Sequence, residues 1–448
     1  MSLAASPEAA RTGPAPALIV VLAYMALQIA LFAGHSPWRD EGQAWLLVGH
    51  LNGPTDFLVI PGEGHPPLWY WLLSALRMGL GFDQARSLTL LVALVNAMLL
   101  LRLFRHDLLL LTLLLFGIVV TQYWGFNFRP YGLVLTLVLG ALLLEREGRP
   151  LAGTWLLALA CGLHFFSGFL FAFWLLAQLR RGMDWRLLVA PSLLAALFGL
   201  SAILSAAGNP AGNPSTENFA AEIGYALAWP LTWPPLRTWP LAIASLALIA
   251  VGLWREKLLL VFLLALTLAF SLGTSVLYGQ SAWHSAFMMV MTLIAFVLAG
   301  EKARRWALLV LLVPQALVGI AITSNRLQEP AWTKPDVYAA ILADAGPGFE
   351  PARQLIAWQD FMLTATAASK GISYISGNNG EVLGPIDWRH REEGRIAPVV
   401  LTNPAPYWLV CGECAPVLEA LDRAGRATTL LVETENFDDG PIAAYRVE

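Results

Sequence analysis

Ala17-Leu-Ile-Val-Val-Leu-Ala-Tyr-Met-Ala-Leu-Gln-Ile-Ala-Leu-Phe-Ala33 contains no charged side chain, and an apolar run of this length reads as a helix that crosses a bilayer. Ala30 and Ala33 are small residues of the kind found at a signal-peptide cleavage site. Apolar runs nevertheless continue almost unbroken to Thr323, and Arg11 is the only basic residue upstream, so the segment is read as an uncleaved first span. With 57% hydrophobic and 13% charged residues, the chain lies outside the balance of a soluble globular domain. It reads as a polytopic α-helical membrane protein. A net charge of -3 without a basic block argues against nucleic acid as a partner.

From Asn325 onward charged and polar residues return at ordinary density, which divides the chain into a membrane domain, 1–324, and a soluble domain, 325–448. The second part, roughly 120 residues, is long enough to bury a core of its own. Within the first, basic residues cluster at Arg102 and Arg105, Arg146 and Arg149, Arg180, Arg181 and Arg186, Arg255 and Lys257, and Lys302, Arg304 and Arg305. Short basic loops stay cytoplasmic, so each interval between clusters must go out and return; about eleven spans follow, with the N-terminus inside and the C-terminal domain outside. Pro150 to Arg180 is too short for two full spans, although Gly162 and Gly168 would permit a break. Half-helices meeting near His164 keep the pattern, and backbone broken at membrane depth lines a cavity. A single long span is the rival, and it would invert everything downstream.

Two outer segments follow from this topology. The first, 34–86, contains Pro66 to Leu80, an apolar stretch of the length expected for a helix lying in the membrane interface. The second, Ala206 to Trp239, opens with Gly-Asn-Pro-Ala-Gly-Asn-Pro and closes with Trp229, Trp233 and Trp239, as expected of a flap with a headgroup belt. In the soluble domain Leu355–Trp358, Ile372–Ile375, Trp408–Cys411 and Thr429–Val432 read as strands, and Lys334–Ala343 and Pro416–Ala424 as helices. That alternation suggests a small α/β layer, with no glycine-rich nucleotide fingerprint. Cys411 and Cys414 lack the second pair of a zinc ribbon, which favours a local disulfide over a metal; Cys161, in an apolar segment, reads as packing.

Beyond the first span stands His35-Ser-Pro-Trp-Arg-Asp-Glu-Gly-Gln-Ala-Trp45. Adjacent carboxylates beside hydrocarbon are costly to hold, so Asp40 and Glu41 point to chemistry or ion handling. The plainer reading is a pair that caps the next helix and complements its dipole. Neighbours on a helix point about 100 degrees apart, so the two cannot face each other across a scissile bond. One can act as a general base while the other supports it.

Gly62-Glu-Gly-His-Pro-Pro-Leu-Trp-Tyr70 places Glu63 and His65 just outside a proline-started helix, where they could contact phosphate, share a metal, or simply stand at a helix start. Asn127-Phe-Arg-Pro-Tyr-Gly132 lies between two strong spans. Arg129 could snorkel to headgroups there, or supply the forked donors that a phosphate requires. On the proposed topology Asp40, Glu41, Glu63, His65, Arg129, Tyr131, His164 and His284 all fall at outer helix ends. His164 and His284 taken alone read more readily as core histidines than as ligands.

Asp-Glu after the first span, then His-Pro-Pro-Leu-Trp-Tyr-Trp-Leu-Leu, then Phe-Arg-Pro-Tyr-Gly opening another span, resemble the polyprenyl-phosphate-sugar-dependent membrane glycosyltransferases of the C-type fold. That superfamily includes protein O-mannosyltransferases and the aminoarabinose transferases of lipid A. The similarity is strongest over residues 17–145. It implies that Asp40 is the base that deprotonates the acceptor, with Glu41 beside it, and that Arg129, His65, Tyr131 and His164 serve the donor phosphate. It also implies a divalent metal in some members, for which Glu63 and His284 would be the ligands, although the sequence shows no full ligand set. The expected reaction is an inverting transfer of a sugar from a polyprenyl-phosphate donor to a hydroxyl of a lipid, glycan or protein, at the outer face of the cytoplasmic membrane. A transporter or lipid flippase is the main alternative, and a non-catalytic assembly or receptor subunit a third. Transporters of this kind usually carry paired halves, and no internal repeat is evident.

Overall fold

The computed structural model describes residues 15–60, 62–207, 224, 227–228, 239–277, 282–328, 337–386, 394–436 and 440–448. Most of the segment expected as a flap, and the first three residues of the helix expected from Lys334, lie outside them. In chain order the first helices are α1 (Ala15–Gly34), α2 (Arg39–Val48), α3 (Pro54–Leu58), α4 (Leu68–Arg77), α5 (Phe82–Arg86) and α6 (Leu88–Phe104). There follow α7 (Leu108–Leu115), α8 (Tyr131–Arg146), α9 (Pro150–Leu163), α10 (Ser167–Arg180) and α11 (Trp185–Ala206), then the helices Trp239–Leu253, Lys257–Leu277, Ala282–Ala299 and Arg305–Gln328. The chain forms two compact units. One holds the chain up to Ala33, Leu58–Trp69 and Ser87–Asn325; the other holds Gly34–Phe57, Tyr70–Arg86 and Arg326–Glu448.

In the first unit lie most of the long apolar helices. Among the described residues six stretches are long and apolar enough to cross a membrane: Ala15–Gly34, Phe82–Phe104, Trp185–Ala206, Lys257–Thr274, Trp283–Lys302 and Arg305–Leu327. Pro150–Leu163, Ser167–Arg180 and Trp239–Leu253 are apolar but shorter. Every basic cluster read from the sequence sits at or beside a turn between these helices, and ion pairs tie the turns together. Arg102 meets Glu147 at 2.8 Å, Arg181 pairs with Glu145, Glu256 takes both Arg180 and Lys302, and Arg305 pairs with Asp107. The exposed pair of Arg102 and Glu147 contributes little stability, whereas Glu256 is buried. The meaning of these ion pairs is topological, because turns that touch one another occupy one end of the helix bundle.

The short interval also resolves. α9 and α10 have 14 residues each, about 21 Å at the helical rise, which is short of the hydrocarbon thickness. Between them His164 adopts an extended backbone, φ -153 and ψ 132. The two half-helices therefore meet at His164. A Cβ at Gly162 would stand 2.8 Å from the Phe198 ring and 3.0 Å from Leu68 Cβ, so the glycine lets the Phe198 ring of α11 lie directly against α9.

After α7 the chain winds into a π-helix, Val119–Tyr123. Irregular backbone at membrane depth needs partners from neighbouring helices. α1 provides them: Tyr24 donates its hydroxyl to the Val120 carbonyl at 3.2 Å, and Gln28 Nε2 donates to the Thr121 carbonyl at 3.1 Å. Close by, a Cβ on Gly319 would lie 2.5 Å from the Phe116 carbonyl oxygen and 2.9 Å from the Ile118 nitrogen. Small residues allow such backbone approach between membrane helices. Gly319→Val is expected to cost roughly 1–3 kcal/mol by overpacking, read as a lower midpoint of thermal unfolding in detergent; an unchanged midpoint would refute this contact.

In the second unit a six-stranded sheet has the order β3-β2-β1-β4-β6-β5, from β1 (Leu355–Trp358), β2 (Tyr374–Ser376), β3 (Val382–Leu383), β4 (Tyr407–Cys411), β5 (Thr428–Asn436) and β6 (Gly440–Val447). β1 runs parallel to both β2 and β4, and the remaining pairings are antiparallel. The central strands β1 and β4 are buried along their whole length, as strands covered on both faces must be. Ile356, Trp358, Leu409, Val417, Leu421 and Val447 are at the heart of the core. The helices Val337–Ala345 and Ala415–Arg423 lie where helices were expected. Cys411 and Cys414 form a disulfide, and Cys161 is a buried thiol. β3 and β6 were not expected, because Val382–Leu383 is too short for a pattern and Gly440–Val447 opens on Gly-Pro.

Candidate active site

In the first unit four of the sequence candidates converge at a single cluster of rings. His164 lies 5.3 Å from His65, 5.1 Å from Tyr131 and 5.8 Å from His284, centroid to centroid. Connectivity explains the meeting. Tyr131 opens α8, His164 closes α9 and His284 stands near the start of Ala282–Ala299, so each occupies the helix end opposite its arginine-bearing turn. Glu63 adjoins the cluster, since its Oε2 is 3.3 Å from His65 Nδ1. Arg129 is 9% exposed and lies within electrostatic range of His164.

The local chain sets these directions. Asn127 Nδ2 donates to the carbonyls of Gln122 and Tyr123 at 2.9 and 3.2 Å, and the Arg129 N–H closes back on the Asn127 carbonyl at 2.8 Å. That tight turn delivers Arg129 and Tyr131 together, with Pro130 as the helix cap. Trp124 stacks on Tyr131 at 6.0 Å, and Phe287 packs 4.9 Å from both Trp124 and His164. The sequence did not single out this aromatic shell of Trp124, Phe165, Phe166 and Phe287, because aromatic residues in apolar helices look like any other packing residue.

His164 has a defined tautomer. The Phe166 N–H donates to His164 Nδ1 at 3.2 Å, so in the neutral ring the proton sits on Nε2. That Nε2 is fully buried and has no hydrogen-bond partner among the described residues, and neither does the Ser167 hydroxyl at the start of α10. A buried donor without a partner costs about 1–3 kcal/mol. Beside the N-terminus of a half-helix, such donors suit an oxygen-rich anion. Among the described residues no three His, Cys, Asp or Glu side chains come together as a metal ligand set.

Asp40 and Glu41 belong to the second unit, at the start of α2, where they differ sharply. Glu41 is 0% exposed. Its carboxylate meets His35 Nε2 at 3.1 and 3.2 Å, accepts the Trp38 N–H at 3.2 Å and faces Arg86 Nε at 3.9 Å. It closes the helix start from the third position, as the acidic partner of a capping box does. The side chain of Asp40 is 26% exposed, with Oδ1 3.0 Å from Arg39 Nε. One carboxylate is therefore consumed by structure while its neighbour keeps access to solvent. Arg86 was not legible as a partner, since it lies far along the chain from Glu41.

The architecture matches two solved structures. The crystal structure of ArnT from Cupriavidus metallidurans bound to undecaprenyl phosphate superposes with a TM-score of 0.56 at 14% identity, over 95% of this chain and 97% of that one. The apo state of the same protein gives 0.54 at 14% identity with the same coverage. No family model matches the chain, and no curated protein matches it. The chain thus shares the fold of ArnT, a polytopic helical domain with a small sheet domain at the C-terminus.

Proposed function

We propose that the protein is an inverting glycosyltransferase that moves a sugar from a polyprenyl-phosphate donor to an acceptor hydroxyl at the outer face of the cytoplasmic membrane, with the C-terminal domain also outside. The observation that carries this reading is the fold, shared over 95% of the chain with a protein crystallised with undecaprenyl phosphate. ArnT is an aminoarabinose transferase. The basic turns gathered at one end of the bundle would face the cytoplasm, which puts the ring cluster of His65, Tyr131, His164 and His284 towards the outside.

The reaction follows from the donor. A polyprenyl phosphate is a charged leaving group already in the membrane, so a nucleotide pocket is not needed. An acceptor oxygen attacks the anomeric carbon and forms the new C–O bond as the bond to the phosphate oxygen breaks, the electron pair leaving with the phosphate. Asp40 takes the acceptor proton. Arg129, His65, Tyr131 and the Nε2–H of His164 stabilise the negative charge that grows on the leaving phosphate. Glu41, bound to His35 and facing Arg86, supports the helix that carries the base. With Asp40 acting as the base and no carboxylate assigned as a nucleophile, one displacement with inversion is expected.

The test is transfer by the purified protein in lipid vesicles supplied with a labelled polyprenyl-phosphate sugar. Acceptor-dependent release of polyprenyl phosphate is expected, with inverted configuration in the product. Movement of the intact lipid between leaflets without cleavage would overturn the assignment in favour of a flippase. Arg129→Ala is expected to raise the donor KM by roughly ten- to a hundredfold, the worth of a charge-assisted hydrogen bond; an unchanged donor KM would remove Arg129 from the phosphate.

A further inference from the structure

Within the second unit the helix that carries the acidic pair is held by the C-terminal domain. From Glu41 to Val48 every residue of α2 is buried, which is unusual for a helix of 10 residues that begins with Arg-Asp-Glu. Part of its cover is the turn Asp360–Leu363 and the helix Thr364–Lys370, which follow β1. A Cβ on Gly42 would stand 2.6 Å from both the Thr364 carbonyl oxygen and the Ala365 Cα, so the two backbones are in direct contact. The Thr364 hydroxyl lies 2.8 Å from the Phe361 carbonyl and 3.3 Å from the Arg39 carbonyl, so its one proton is shared between the two.

One residue further on, Gln43 pairs with the backbone of Ile386 as a strand would. Its Nε2 donates to the Ile386 carbonyl at 2.8 Å, and its Oε1 accepts the Ile386 N–H at 2.9 Å. Arg39 completes the connection. Its guanidinium lies over the Phe361 ring at 5.2 Å, while its Nε contacts the Asp40 carboxylate at 3.0 Å. Phe361 thus orients Arg39, and Arg39 orients Asp40. The segment Asp-Glu-Gly-Gln carries two residues whose types are set by this docking: a glycine because backbone lies against it, and an amide because both a donor and an acceptor are required.

We propose that the C-terminal domain is a positioning device for the base, in which Phe361, Thr364 and Ile386 dock Arg39, Gly42 and Gln43 and so fix the direction of the Asp40 carboxylate. This rests on Asp40 acting as the base. Phe361, Gly42 and Gln43 are positioning residues, since they act through α2. The alternative is a domain that is merely appended, in which case a change at the contact would leave turnover per folded molecule unaltered.

Gly42→Ala separates the two, because alanine favours a helix interior by about 1 kcal/mol over glycine while its methyl group has no space against Thr364 and Ala365. The expected result in the full-length protein is a kcat at least tenfold lower with a donor KM changed less than threefold. Hydrogen exchange of the amides of residues 39–48 should quicken while β1 and β4 keep their protection. Phe361→Leu keeps the apolar bulk and removes the ring beneath Arg39; it should show the same split to a smaller degree, and it serves if Gly42→Ala does not fold. Wild-type kcat in both variants, or unchanged exchange in α2, would overturn the proposal. Should the wild type transfer no sugar, exchange alone decides: quickening confined to α2 upholds the docking although the assigned reaction has failed, and its absence refutes the docking as well.

Discussion

Asp40→Asn is expected to reduce sugar transfer by roughly two to four orders of magnitude, the range for loss of a general base, while the protein folds and inserts as the wild type does. Both parts rest on the contrast within the acidic pair. The Asp40 side chain is part-exposed and contacts Arg39 from a surface position, so an amide of the same size costs the fold little. An amide cannot accept the acceptor proton at neutral pH. The measurement is the initial rate of labelled-sugar transfer in vesicles, normalised to folded protein by size-exclusion profile. Full activity in Asp40→Asn would sink the assignment of the base.

Glu41→Ala should fail for the opposite reason. Its carboxylate is fully buried, receives the Trp38 N–H and the His35 ring, and faces the Arg86 guanidinium, whose side chain is 8% exposed. Removing one member of a buried charged set costs about 3–5 kcal/mol, because the remaining charge loses its counterpart while staying out of water. That is a large share of the stability of most domains. The expected outcome is a protein with a much lower thermal midpoint and poor yield, and Glu41→Gln should fall between, since it keeps the shape and one acceptor but not the charge. A normal midpoint in Glu41→Ala would show that the carboxylate is not a structural anchor. Measured together, the pair should divide cleanly: Asp40→Asn loses rate and keeps the fold, and Glu41→Ala loses the fold.

The hairpin topology was legible because arginine is placed by a rule that acts along the chain: Arg102, Arg146, Arg180, Arg255 and Lys302 each mark a turn, and the ion pairs among those turns join one end of the bundle. The break at His164 was one of two readings of the short interval from Pro150 to Arg180, favoured over a single long span by the basic turns on either side and by Gly162 and Gly168. β1 matched residue for residue because Leu355–Trp358 is a compact apolar run bounded by polar ones. β6 escaped because its place depends on pairing with β4 and β5, a non-local matter. The long segment between α1 and α6, read as an outer loop with a helix after the acidic pair and an interfacial helix from Pro66 to Leu80, contains α2, α3, α4 and α5; the helix after the acidic pair is α2, and the interfacial helix is shorter than expected, Leu68–Arg77. Short helices with mixed polarity carry little periodic signal.

By itself the sequence determined that this is a many-spanning helical membrane protein with an α/β appendage, which helix ends share a side, and that an acidic pair follows the first span, because hydropathy, basic turns and chain length are properties of the linear order. Tertiary structure alone decided which carboxylate is consumed and which stays accessible, that His65, Tyr131, His164 and His284 touch, and that Gly42 and Gln43 dock against the C-terminal domain. Those outcomes depend on side chains brought together from positions far apart, such as Arg86 beside Glu41 and Ile386 beside Gln43, and burial and hydrogen-bond pairing arise only when the chain has folded.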